Sequence, residues 1–320
     1  MSRVIVRTIY GSAVQTTRSL GLEHSIPSPH AALHYGGIPS TGVGALNTAT
    51  IIPQLPASLT RAMQVAPVYD AAADTGNIRQ QYFCIGNGGH RFIQGPDPLA
   101  PAYTSPIPHR ATDSGLYRMI PFLIRNLSGA DLSIGDRAKY RLRRVIEVGG
   151  QFYAAYYAKK LDFTGVAPEL TRVDYNAGNP VSAAFAPNIN NLNPTQPSDS
   201  TVVANSGSYV SVRASLSIPF TADEVAELLA AMQTIYGNEN FAVISEVALC
   251  TGVDKLCTHE YTNAASPVSN EITVNNPTEA VGVQVATHIS TYYPLVYANS
   301  GLGFTMDLGA TEPLFGVGSN

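Results

Sequence analysis

Tryptophan is absent from this 320-residue, 33.9 kDa chain, and only 13% of its residues are charged, against roughly a quarter in an average globular protein. A surface poor in charge is expected to be covered by neighbours or to display neutral Ser, Thr, Asn and Gln rather than to keep a lone subunit soluble. Lysine is scarce as well: four Lys stand against 15 Arg, a balance that suits fixed, bidentate contacts at packed surfaces better than loose solvation. Three cysteines exclude a disulfide-stapled miniprotein and cannot all pair within the chain. Cys84 is isolated, and Cys250 and Cys257 enclose six residues. Reduced thiols in a cytoplasmic setting are the expectation, with a disulfide in an assembled particle as the alternative. No run of apolar residues is long enough to span a bilayer, and the start, MSRVIVRTIYGSAVQ, lacks the apolar core of a secretory signal.

The aromatic residues present are 17 Tyr and 10 Phe, so most rings carry a hydroxyl suited to interfaces where the ring is buried and its polar end finds a partner. The net charge of −4 hides a polarity. Residues 1–213 hold 18 basic and 12 acidic side chains, whereas residues 214–320 hold Lys255 against 11 acids. The halves are therefore expected to attract opposite partners, including each other or copies of each other. The acidic half argues against binding to DNA.

Four regions follow from the order of the chain. Residues 1–125 are punctuated by HSIPSPH, GGIPSTGVG, PQLPAS, GNGGH and GPDPLAPAY. This density of Pro and Gly disfavours long helices and a regular central sheet, and predicts a loop-rich, extended N-terminal arm or domain. Residues 126–175 form a basic hairpin region. Tyr140, Leu142, Ile146 and Val148 alternate with Arg141, Arg143 and Glu147, Gly149-Gly150 suits a two-residue turn, and Phe152 to Tyr157 make the return strand. Opposing Val148 to Gln151 sets Arg144 across from Ala155 and Arg143 across from Tyr156. Residues 176–210, rich in Asn, Pro and Ser, read as a linker or long loop.

Residues 211–320 read as an acidic α+β domain. SYVSVRASLSIPF alternates Val210, Val212, Ala214, Leu216 and Ile218 on one side, as in a half-buried strand. Thr221 and Glu224 have capping-box spacing, Phe220 can staple onto Val225, and Val225, Leu228, Leu229, Met232, Ile235 and Tyr236 make the stripe of a helix ended by Gly237. FAVISEVALC and VGVQVATHIS read as strands. The expected fold class is α+β, predominantly β, with an antiparallel sheet, a hairpin and a packed helix behind the loop-rich N-terminal region.

Motifs for chemistry are missing. GNGGHRF fits neither GxGxxG at a strand–helix junction nor a P-loop, and reads as a turn. CTHE, residues 257–260, offers a thiol, an imidazole and a carboxylate, but zinc needs four converging ligands and nothing guides Cys84 or His90 to complete them. A loop Cys257 beside His259 is no nucleophile pair, and no GxSxG, HExxH, CxxC or DxD-rich cluster occurs. Neither an enzyme nor a cofactor is expected. The residues best placed for contact are Arg141, Arg143, Arg144, Tyr156 and Tyr157, a basic and aromatic patch suited to protein rather than nucleic acid.

DRAKYRLRRVIEVGGQFYAAYYAKKLD and TADEVAELLAAMQTIYGNENFAVISEVALCTGVDK resemble a group of structural proteins of contractile-tailed bacteriophages, over about residues 105–290. The resemblance implies a non-enzymatic virion component of tail, baseplate or neck and collar type, assembled in the host cytoplasm. Its partners would be copies of itself and other tail or baseplate proteins, without membrane or direct nucleic-acid contact. A receptor- or carbohydrate-binding tail-tip module, with an aromatic groove built from Tyr292 and Tyr293, is the alternative.

Overall fold

Residues 242–252 are buried without a break, a pattern that fits a strand covered on both faces and flanked on both edges. The computed structural model places them on such a strand; it describes residues 4–19, 61–63, 67–69, 79–95, 102–176, 179–186, 208–259, 278–296 and 301–314. The strand, β14 (Val243–His259), lies between β4 (Arg79–Gly86) and β15 (Thr278–Pro294) in an antiparallel sheet. Val247 sits opposite both Ile85 and Ile289.

From one end, the sheet runs β1 (Val4–Arg7), β15, β14, β4, β10 (Gln151–Lys160), β9 (Tyr140–Val148) and β2 (Arg61–Met63). Three short strands attach along this path: β3 (Pro67–Tyr69) on β14, β7 (Met119–Ile120) on β4 and β8 (Leu123–Asn126) on β10. A separate two-stranded sheet pairs β5 (His90–Ile93) with β6 (Tyr103–Pro106). Strand β9 meets β10 across Gly149 and Gly150, both at positive φ, with Val148 opposite Gln151, Arg144 opposite Ala155 and Arg143 opposite Tyr156.

Within residues 1–125, expected as a loop-rich arm or domain without a regular central sheet, β4 is a regular inner strand. Tyr82, Phe83, Cys84 and Ile85 are at most 2% exposed, and their strand is an inner member of the sheet. Turn signals on either side of RQQYFCI marked its ends and did not describe the stretch between them. The arms expected at HSIPSPH, GGIPSTGVG and PQLPAS lie outside the described residues, as do residues 187–207 of the expected linker.

Among the described residues the α-helices are α1 (Ile9–Ser19), the single turn α2 (Ile134–Arg137) and α3 (Ala222–Tyr236). Helix α3 starts at Thr221, whose hydroxyl accepts from the Glu224 amide while the Glu224 carboxylate accepts from the Thr221 amide, and it ends on Gly237 at φ 72°. It buries Val225, Leu228, Ala231, Met232 and Ile235, whereas Leu229 and Tyr236 of the expected stripe are half-buried. Phe220, just before the cap, packs with Phe83 and Phe122, ring centroids 5.9 and 6.0 Å away. Salt bridges Arg125–Glu227 and Lys159–Glu224 join the same helix to β8 and β10.

The chain divides into two compact units, each discontinuous in sequence, with bounds that differ from the four expected regions. Unit 1 combines Met1–Leu161 with Phe220–Leu302, and unit 2 combines Asp162–Pro219 with Gly303–Asn320. Unit 2 holds a four-stranded sheet ordered β12 (Asn179–Ala184), β11 (Glu169–Asn176), β13 (Tyr209–Phe220) and β16 (Leu302–Pro313). On β13 the expected alternation holds at Leu216 and Ile218 but not earlier, where Ser211 is buried and Val212 is 44% exposed. The Ser211 hydroxyl takes the inner position by bonding the Thr311 hydroxyl and the Arg213 Nε–H.

Folding also cancels the charge polarity of the sequence. Unit 1 contains 17 basic and 17 acidic residues, unit 2 two basic and six acidic.

Candidate functional site

The five residues expected to form a contact patch are placed inside unit 1. Arg141, Arg143, Tyr156 and Tyr157 are between 0% and 7% exposed, and Arg144 is half-buried. Arg141 Nε and Nη2 lie 2.8 and 3.1 Å from the two carboxylate oxygens of Asp254, and its Nη1 donates to the carbonyls of Arg137, Ala138 and Tyr140. Arg143 Nε donates to Asp131 Oδ2 at 3.0 Å, while the Tyr156 hydroxyl donates to Asp131 Oδ1 at 2.8 Å. Arg144 Nη1 bonds the Arg143 carbonyl. The hairpin thus uses its guanidinium groups to satisfy buried carboxylates and carbonyls, because a charge removed from water must find such partners. The β9 backbone turns at Leu142, φ 54°, so residues 140–143 are buried consecutively instead of alternating.

Asp254 takes two further donors, Lys160 Nζ at 2.7 Å and the Tyr82 hydroxyl at 2.6 Å, and the Gln81 side-chain amide donates in turn to that hydroxyl. Burial raises the Asp254 carboxyl, but the hydrogen bonds and charge of Arg141, with those of Lys160 and Tyr82, outweigh it and hold the group down at about 2. Burial also drives the hydroxyls of Tyr140, Tyr156 and Tyr157 far above the usual phenol range.

A second polar centre was not foreseen. Glu246, fully buried on β14, accepts four hydrogen bonds. Oε1 takes the amides of Gly88 and Arg118 at 2.8 and 3.2 Å; Oε2 takes the Tyr117 amide at 2.7 Å and His109 Nε2 at 2.9 Å. Two glycines of GNGGH, Gly86 and Gly89, leave room for this side chain. A Cβ on Gly89 would stand 2.4 Å from Glu246 Cγ, and one on Gly86 2.7 Å from Oε1. Around it, the His109 ring stacks between Tyr117, at 4.1 Å, and His288, at 3.8 Å. Asp113 Oδ2 is 3.4 Å from His109 Nδ1, and His288 Nε2 donates to the Asp113 carbonyl at 3.0 Å.

The signal for this centre was present in FAVISEVALC as one carboxylate in an otherwise apolar strand, a placement that demands buried donors. Its partners, from residues 88–118 and 288, are distant in sequence. Imidazole beside carboxylate is also the beginning of an acid–base pair, but both Glu246 oxygens are held by backbone amides, and the nearby Ser245 and Ser290 hydroxyls bond the Gly89 amide and the Ile107 carbonyl. The arrangement fastens loops to the sheet.

Cys84 and Cys250 are free, buried thiols with sulfurs 3.8 Å apart on β4 and β14; burial, and then Cys250, pushes the Cys84 thiol well up. The backbones of Cys257 and His259 pair with Tyr69 and Pro67, so these residues lie on β14 and not in the expected loop. Among the described residues no group of three or more His, Cys, Asp or Glu side chains is arranged to hold a metal ion, and no helix is long and apolar enough to cross a membrane.

Exposed rings lie elsewhere. On β5–β6, Phe92 is 69% and Tyr103 55% exposed. Phe92 and His90 make edge-to-face contacts with Tyr292, centroids 6.5 and 4.9 Å away, so Tyr292 of the expected aromatic groove joins a ring cluster of different membership.

No curated protein and no solved structure matches this chain. The model of a family of unknown function, DUF7208, matches residues 62–319, which is most of the sequence, and the chain belongs to that family.

Proposed function

We propose that this chain is a non-enzymatic structural subunit of a contractile-tailed phage particle, assembling or bridging rings in its tail or baseplate. The observation that carries the assembly reading is the contrast between two surfaces. The basic hairpin is engaged inside unit 1, while Phe92 and Tyr103 stand 69% and 55% exposed on β5–β6. Large rings left in water beside further aromatics are the usual anchors of a protein interface. The phage assignment rests on the resemblance of residues 136–162 and 221–255. The contact surface is accordingly moved from Arg141, Arg143 and Arg144 to the β5–β6 rings.

Light scattering and negative-stain imaging of the purified full chain, alone and with the products of neighbouring genes, test this reading. A defined ring or wedge that dissociates in Phe92→Ser/Tyr103→Ser without loss of thermal stability is the expected result. A monodisperse monomer under all these conditions would overturn it. The carbohydrate-binding tail-tip alternative draws on the same rings, which present faces for sugar stacking, and glycan-array binding by that monomer is the result that would favour it.

A further inference from the structure

Residues 107–118 cross the end of the unit 1 sheet and are tied to it at both ends. The Ile107 amide donates to the Gly89 carbonyl, the Ser290 hydroxyl to the Ile107 carbonyl, the Ile9 amide to the Ala111 carbonyl and the Val285 amide to the Ser114 carbonyl. The amides of Tyr117 and Arg118 end the segment on Glu246. Near its start, the His109 ring is clamped face to face against His288 of β15, with an angle of 7° between the planes.

His288 is 1% exposed. Its Nε2 donates to the Asp113 carbonyl, and its Nδ1 is buried with no hydrogen-bond partner. Adding a proton to Nδ1 would create a buried donor without an acceptor and set a cationic ring 3.8 Å from a second imidazole. Asp113 and Glu246 favour a proton on His288 but are outweighed by its burial and by His109. Glu246 on β14 is filled by four donors, and the Asp113 carboxylate lies 3.4 Å from His109 Nδ1. Tyr117 covers the far face of His109. The charge of Arg110 acts on Tyr117, and those of Arg118 and Glu246 act on His90.

We propose that residues 107–118 form an acid-released strap: protonation of His288 expels its ring from the stack and frees the segment from β15 and Glu246 while the rest of the sheet stays paired. This device is independent of the assembly reading. Desolvation by burial, with the charge of His109 second, holds the His288 imidazole down at about 4, so the closed strap resists protonation and the open strap accepts it at the ordinary histidine value. Opening therefore becomes more favourable as pH falls from about 6.5 towards 4.

Hydrogen exchange of the full chain, corrected for the intrinsic pH dependence, tests the strap. In the wild type, protection of the Ile107, Asp113, Tyr117 and Arg118 amides, and of the Ile9 amide that donates to the Ala111 carbonyl, is expected to fall on the order of 30-fold between pH 6.5 and pH 4.5, while the Phe83 and Ala155 regions stay protected. His288→Gln keeps a donor for the Asp113 carbonyl and His288→Phe keeps a flat ring, and neither titrates. Either folded variant should hold its strap protection constant over that range. Wild-type protection that is flat with pH, strap and core opening together, or the same loss in a folded variant would each overturn the proposal. If neither variant folds, the wild-type profile decides alone.

Discussion

Arg141 and Asp254 meet side on, Nε to Oδ1 at 2.8 Å and Nη2 to Oδ2 at 3.1 Å, with Arg141 4% exposed on its side chain and Asp254 24%. They come from opposite halves of a sequence whose charges are segregated, and they meet within one unit. Arg125–Glu227, Lys159–Glu224, Lys160–Asp254 and His109–Glu246 repeat the pattern. Separated charges in this sequence encode contacts, within unit 1, between its early segments and the late strand β14 and helix α3. Asp254→Ala removes the partner of two cations, one of them buried, and should cost about 3 kcal/mol, read as a lower urea midpoint at unchanged slope. A midpoint equal to that of the wild type would show the pair to be idle.

The same carboxylate shapes the acid limb of stability. Its folded value of about 2 lies below the ordinary 3.8, so the unfolded chain binds the proton more readily. The stabilisation is fully present above the unfolded value and is lost as pH falls from there through the folded value, a difference of about 2 kcal/mol. Urea unfolding followed from pH 5 to pH 2 should show this loss in the wild type and a shallower one in Asp254→Asn. Parallel profiles would remove Asp254 from the acid limb.

What was legible in the sequence was local. Helix α3 could be placed to the residue because its signals, Thr221, Glu224 and Gly237, lie within its own length. The β9–β10 register followed from one pair of glycines. The position of β4 was not legible, since nothing in RQQYFCI says that it lies between β14 and β10, which are far along the chain. The direction of the hairpin's arginines was missed for a related reason. Alternation assigns faces on a regular strand, but Leu142 breaks the alternation, and the acids that draw Arg141 and Arg143 inward, Asp254 and Asp131, lie 113 and 12 residues away.

The cap of α3 gives a clean measurement because the Thr221–Glu224 hydrogen bonds are exposed. Thr221→Ala removes the acceptor for the Glu224 amide and should lower the unfolding free energy by about 1 kcal/mol. Thr221→Ser should retain most of it. Equal losses in both variants would assign the effect to the Thr221 methyl group and not to the cap.

Cys84 and Cys250 are both 0% exposed, and thiolates, not thiols, are the reactive form. With the Cys84 thiol raised by burial, native protein treated with an alkylating reagent at pH 8 should leave both residues unmodified, and both should react after denaturation. Peptide-resolved mass spectrometry separates them from Cys257. Fast native labelling of Cys84 would mean that the β4–β14 core opens far more readily than its burial implies.

Glu246→Gln tests a fully buried carboxylate with four hydrogen-bond partners. The carboxylate accepts from three backbone amides and from His109 Nε2, and all of these donors point at its two oxygens. A glutamine of the same shape offers one accepting oxygen and one NH2 group. With the NH2 towards Gly88 and Arg118 two amides face a donor; turned towards Tyr117 and His109 it faces one, because the neutral imidazole can carry its proton on Nδ1, beside Asp113, and accept at Nε2. Each buried donor left unmatched costs about 1 to 3 kcal/mol, which predicts a loss of about 1 to 3 kcal/mol, at least that of the cap. The loss should begin locally, with faster exchange at Gly88, Tyr117 and Arg118. His109→Gln leaves the three backbone donors in place and should cost less than Glu246→Gln. A larger loss from His109→Gln would make the imidazole stack, rather than the carboxylate, the group that fastens these loops.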